Sequence, residues 1–319
     1  MCPNPKGDNS NLHQISDLTT VKALAYMINN DLYTSIDKTR VFLKDISRGR
    51  IDISNGFICN LSKQFSECTQ EERDRLFQDL TTADVLHTDF TFGRTGGKQS
   101  AVIITTAGDG TVLYQGRVKK GDEGVKGSPV EHYTGILVSD HVAALIKHGG
   151  RHQECLAHMK RYAKSEAENE PGKSWGTKLE AWISDSVGYW HEVNDGFRKY
   201  DKATADAYID SFQEIIRTAR EEYEYEPPSK YYKDGYNTYK RMEEKPEDYI
   251  LFLQDPKVPP TNNVAERAGR KYKRKAHQVM SFRSQEGSNR FCDGLTIMET
   301  IKAQGGNLFE ELTDRFNRK

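Results

Sequence analysis

Three acids in this chain of 319 residues sit where carboxylates can share a cation. Asp89 falls inside DVLHTDFTF, which alternates like a strand; Asp140 closes the short apolar run GILVSD; Glu266 lies in the helical run VAERAGRKY behind the polar loop PKVPPTNN. Carboxylates delivered by strand ends and a helix start suit hard cations such as magnesium, which takes oxygen ligands and keeps several waters. Two such ions about 3.5–4 Å apart can hold the attacking and the leaving oxygen of an in-line phosphoryl displacement. Taken singly, each acid also reads as an ordinary cap or a solvated strand edge.

Charge gives a second signal. Lys and Arg number 46 against 47 Asp and Glu, a net charge of -1, which excludes a globally basic nucleic-acid coat but not a local patch. Such a patch follows the third acid: between Glu266 and Arg283 one acid stands against seven bases, Arg267, Arg270, Lys271, Lys273, Arg274, Lys275 and Arg283. Phosphate neutralisation by such a run gives salt-dependent DNA binding; a solvated helical face is the plain alternative. A third cluster, His148, His152, Cys155 and His158, contains a Cys-x-x-His but no second doublet of zinc-ligand spacing. Its plainer reading is a buried Cys155, with His158 supporting the neighbouring acid.

The positioning elements follow from periodicity. Residues 1–17 read as a polar tail and 19–80 as four short helices, with Ser54 capping the third and Thr69 with Glu72 forming a capping box for the fourth. This region is compatible with a helix-turn-helix or with a plain helical lead-in. Strands are expected at 84–92, 99–107 and 111–118, joined by glycine turns into an antiparallel meander. Residues 119–134 allow at most one helical turn, after Ser128-Pro129. A buried strand at 135–140 and a weaker one near His152–Cys155 precede a helix at 155–167. From about 174 to 252 the chain reads as purely helical, broken at Pro227 and Pro228, and its 221–248 part carries nine acids against five bases, which argues against a large phosphate-binding role there. Thr261 or Asn262 is expected to cap the helix that carries Glu266, and further helices run through 294–303 and from Leu308. The fold class is α/β. Five scattered cysteines and the lack of any long apolar run point to a reduced cytoplasmic protein without disulfides or membrane spans.

The runs ADVLHTDFT (83–91), GILVSDH (135–141), CLAHMKRY (155–162), TNNVAERAGRKYKRKAHQVMSF (261–282) and GLTIMETIKAQGGNLFEEL (294–312) resemble, in that order, segments of bacterial insertion-sequence transposases of the sixty-six family (TnpC-type). The resemblance implies a DDE transposase with a ribonuclease-H-like mixed sheet. It makes Asp89, Asp140 and Glu266 the catalytic, metal-binding acids, 51 and 126 residues apart. Two Mg2+ ions, replaceable by Mn2+, are the implied cofactors. Arg267, Arg270, Lys271, Lys273, Arg274 and Lys275 are the expected DNA contacts, with Asn262, Asn263 and His158 in support. Four regions are expected: a helical, helix-turn-helix-like region (1–80), the first part of the core (81–165), an all-helical insertion (166–255), and the rest of the core with the third acid (256–319). The implied partners are DNA, as element ends and target, a homo-oligomer assembled on it, and accessory proteins of the element, with nucleoid association during action. Rival readings are a ribonuclease-H-like nuclease and a non-catalytic DNA-binding protein derived from a transposase.

Overall fold

The computed structural model describes residues 17–224 and 234–318, so the expected polar tail and the break at Pro227 and Pro228 lie outside the described residues, apart from Asp17. The chain is mixed α/β, with a five-stranded sheet ordered β3-β2-β1-β4-β5. These strands are β1 (Val85–Thr95), β2 (Lys98–Ala107), β3 (Val112–Arg117), β4 (Ile136–Ser139) and β5 (Arg151–Glu154). β2 and β3 pair antiparallel, with Thr106 opposite Val112. β1 neighbours β2 across the two-residue link Gly96-Gly97, which only an antiparallel pair can use. β4 runs parallel to both β1 and β5.

Two compact units divide the chain. The first holds residues up to Leu80, Phe90–Gly124 and the chain from Ala268 onward. Its helices α1 (Leu18–Asn30), α2 (Ile36–Ile46) and α3 (Asn55–Cys68) begin at Asp17, Ser35 and Ser54, whose side chains accept the backbone N–H of Thr20, Lys38 and Phe57. The expected box at α4 (Gln70–Thr82) does not form. The Thr69 hydroxyl instead donates to Phe65 O and accepts from Arg73, while Glu72 pairs with Arg315. Tyr26, Phe65, Ile104, Tyr114 and Tyr272 share one apolar core with Phe291 and Leu295 of α12 (Gln285–Ala303). The exposed edge of β3 is covered by α12, whose Thr296 and Thr300, one turn apart, accept the backbone N–H of Tyr114 and Val112. The turn before β3 needs Gly110, at φ +87°, where a Cβ would approach that of Ala303 to 2.6 Å. A last helix, α13 (Leu308–Asn317), is capped by Asn307.

The second unit holds Thr81–Asp89 and Val125–Arg267. The single helical turn expected after Ser128 stands before it, as α5 (Asp122–Val125). The expected helical block appears as α7 (Trp175–Asn194), α8 (Lys202–Glu224), α9 (Asp234–Glu244) and α10 (Glu247–Gln254), behind α6 (Leu156–Asn169). No strand occurs between Trp175 and Gln254 among the described residues. Trp175, Trp182, Phe212, Tyr249 and Phe252 pack in the same core as Val138 of β4 and Met159 of α6. Gln153 of β5 accepts the backbone N–H of Phe252, which fixes α10 beside the sheet edge.

Trp175 is fully buried in that core. Trp175→Ala is expected to lower the free energy of unfolding by about 3–5 kcal/mol. A urea titration with an unchanged midpoint and slope would contradict the packing.

Candidate metal centre

Every side chain of the centre belongs to the second unit. Parallel pairing sets Thr88 of β1 beside Ser139 of β4, so the next residue of each chain is an acid, Asp89 and Asp140. The two acids thus each follow one member of the last register pair on neighbouring parallel strands. β5 ends at Glu154, and Cys155 and His158 follow at the start of α6, three residues apart and so on one face. Glu266 lies in the first turn of α11 (Asn263–Val279).

Asn262 fastens these segments together. It is fully buried. Its Nδ2 donates to Thr88 O at 2.7 Å, and its backbone N–H donates to Cys155 Sγ at 3.2 Å. Its Oδ1 lies 3.3 Å from Nδ1 of His87. Burial lowers His87 to about 4, against the hydrogen bond from Asn262, which raises it. The ring is thus neutral near pH 7, and its Nδ1–H donates to the amide oxygen. Beside this contact, Leu156 N–H donates to Pro260 O at 2.9 Å. The backbone before Asp89, the start of α6 and the start of α11 are thereby tied to one another.

Donor atoms of Asp140, Cys155, His158 and Glu266 lie within 4.8 Å of one another. His158 Nδ1 is 2.7 Å from Asp140 Oδ1 and 3.6 Å from Glu266 Oε1. Burial alone would lower the His158 pKa, but hydrogen bonds and charge from Asp140 and Cys155 outweigh it and raise the ring to about 10. The imidazole is therefore a cation set against two carboxylates at neutral pH. Asp140 Oδ1 and His158 Nδ1 are both buried, 2.7 Å apart. Oxygen, nitrogen and sulfur donors that converge from four chain positions suit a bound cation. Arg161 reaches to 3.9 Å from Glu266 from an exposed position.

Further side chains pair with one another around this group. His141 pairs with the buried Glu154. The Ser139 hydroxyl meets His152 Nε2 at 2.9 Å, and His152 Nδ1 lies 3.4 Å from Asp248. His148 Nδ1 faces Glu131 O. Of the four-residue His/Cys cluster in the sequence, only Cys155 and His158 enter the centre. Asp89 stands on the adjoining strand, and its carboxylate is not among the four gathered donors. The Cys-x-x-His spacing read in the sequence is the part of that cluster which joins the two acids.

The basic residues divide. Arg267, Arg270, Lys273 and Arg274 are exposed, as is Asn263. Lys271 is half-buried, 3.5 Å from Glu299. Lys275, expected among the DNA contacts, is buried. It falls on the inward side of α11 three residues after the buried Tyr272, and its buried ammonium donates to Asn29 O at 2.7 Å. A group so placed has no face left for phosphate.

Over residues 22–290 the chain matches the model of the Transposase IS66 family. No curated protein matches it. No described helix is long and apolar enough to cross a membrane.

Burial lowers Lys275 from its ordinary 10.5 to about 8. Between these two values the unfolded chain binds more protons than the folded one, so this group's contribution to stability rises with pH. Urea midpoints measured from pH 8 to 9.5 should therefore rise more steeply in the wild type than in Lys275→Met. Equal slopes would contradict a buried ammonium.

Proposed function

The chain belongs to the Transposase IS66 family, and from that membership and the geometry of the centre we propose that it is a DDE transposase, cutting and joining DNA at a site built on Asp89, Asp140 and Glu266. The observation that carries this reading is the meeting of Asp140, Glu266 and His158 donor atoms within 4.8 Å, with Asp89 following Thr88, the register partner of the Ser139 that precedes Asp140. The sheet order β3-β2-β1-β4-β5, an antiparallel meander followed by two parallel strands, supports a ribonuclease-H-like core.

Asp140 and Glu266, with Asp89 alongside, would hold magnesium, with manganese as its substitute. Two such ions supply Lewis-acid activation of the attacking oxygen and charge neutralisation at the leaving one. The remaining work falls to the chain's own residues. Asp140 and Glu266 would fix where the ions sit. Arg267, exposed and next to Glu266, is set to hold a phosphate oxygen of the cleaved strand. Arg270, Lys273 and Arg274 follow along the same helix and offer exposed cations to the DNA backbone. Asn262 keeps the strand and helix segments at fixed separation, so that the carboxylates need no rearrangement when DNA arrives. In the first step water is the nucleophile and a 3′-hydroxyl at the element end is released. In the second that hydroxyl attacks a phosphate of target DNA, and no protein–DNA bond is needed.

Asp140→Asn and Glu266→Gln are expected to abolish both cleavage and joining while changing the affinity for duplex DNA, measured without divalent metal, by less than about twofold, since neither acid contributes phosphate attraction. Gel analysis of labelled element ends separates the outcomes. Joined products from either variant would overturn the assignment. Nicks without joining in the wild type would make the protein a nuclease.

A further inference from the structure

Magnesium chemistry requires only carboxylates, yet the centre also gathers a sulfur and an imidazole nitrogen. We infer that Asp140, Cys155, His158 and Glu266 form a four-donor site for a soft tetrahedral cation of the zinc class, and that its occupation shuts the enzyme off. The binding half of this inference stands on the geometry alone; the inhibitory half rests on the function proposed above.

Four observations support the binding half. First, the donor set itself is a sulfur, an imidazole nitrogen and two carboxylate oxygens, and thiolate and imidazole favour zinc where carboxylate and water favour magnesium. Second, the donors stand within side-chain adjustment of a tetrahedron: zinc needs ligand atoms about 3.3–3.8 Å apart, His158 Nδ1 is 2.7 Å from Asp140 and 3.6 Å from Glu266, and all four donors lie within 4.8 Å. Third, Cys155 is fully buried with its Sγ receiving the backbone N–H of Asn262, the outer hydrogen bond that a metal-bound sulfur takes. Fourth, the donors sit on a strand end and two helix starts that hydrogen bonds of Asn262 and Leu156 already tie together, so ligation requires side-chain adjustment rather than refolding.

Ligation takes Cys155 as thiolate and His158 as neutral imidazole, and any proton either gives up passes to solvent. With zinc in place, Asp140 and Glu266 are committed to a closed four-coordinate site without an open position for water or phosphate, as in structural zinc centres. The carboxylates that magnesium needs are then occupied. Asp89 lies outside the four donors and cannot hold the hard ion by itself.

Cobalt(II) is the probe, because its spectrum reports both ligand type and geometry. Titrated into the full chain, it is expected to give the thiolate charge-transfer band in the near ultraviolet and the intense visible bands of tetrahedral cobalt, both bleached by equimolar zinc. Cys155→Ser should lose the charge-transfer band, and His158→Ala should lose the tetrahedral bands. A wild-type spectrum without the charge-transfer band, or one that persists in Cys155→Ser because Cys59 or Cys68 supplies it, overturns the four-donor site. For the inhibitory half, the zinc concentration that halves magnesium-supported joining is read against each protein's own zinc-free rate. Cys155→Ser should raise it tenfold or more, and an unchanged value overturns the switch. A wild-type protein that shows the cobalt spectrum but never joins DNA refutes the proposed function and leaves the soft-metal site standing.

Discussion

Two carboxylates separated by 126 residues of chain are held within 4.8 Å of each other, and their mutual repulsion is the constraint the centre must meet. Like charges this close destabilise one another unless a cation stands between them. His158 supplies that cation, at 2.7 Å from Asp140 and 3.6 Å from Glu266. Its proton is held well beyond the usual imidazole range by the acid and sulfur that surround it, in spite of burial. The imidazolium therefore offsets the acids with part of the charge that a divalent ion would bring.

Charge alone would not hold such a cluster in place. β4 contributes only four residues, but it is parallel to neighbours on both sides, so its end and Asp140 are fixed by pairing with β1 and β5. Asn262 spends its whole side chain and its backbone N–H on β1 and on Cys155. That arrangement leaves no buried amide atom unsatisfied, which in a low-dielectric interior is worth more than the same bonds at the surface. The long helical segment between the second and third acids is continuous in its core with β4 and α6. It brings the chain back to the start of α11 after a detour of more than a hundred residues.

Much of this was legible in the residues. Asp140 at the end of an apolar run, Glu266 at the opening of a basic helix, and the purely helical character of 174–252 all follow from periodicity and cap chemistry. The Asp-Gly turn and the flanking β-branched runs gave the β2–β3 hairpin. What escaped reading depends on tertiary partners. Thr69 with Glu72 has the pattern of a capping box, but Arg73 and Arg315 compete for the same groups and win. Lys275 looks like one more base in a basic run, and only the facing backbone oxygen of Asn29 makes its burial tolerable. The role of Cys155 depends on a backbone N–H that arrives from residue 262, a contact that no local pattern encodes. Nor does spacing tell that Asp89 stands on the adjoining strand while the other two acids converge with a histidine and a cysteine.

The central claim is that these acids assemble into a cation site, and a calorimetric titration of manganese tests it most directly. Wild-type protein and Asp140→Asn would each be titrated with and without a short duplex. The account predicts saturable binding in the wild type, strengthened by the duplex, and its loss in Asp140→Asn. Equal binding by both proteins, or none by the wild type even with DNA present, would contradict it.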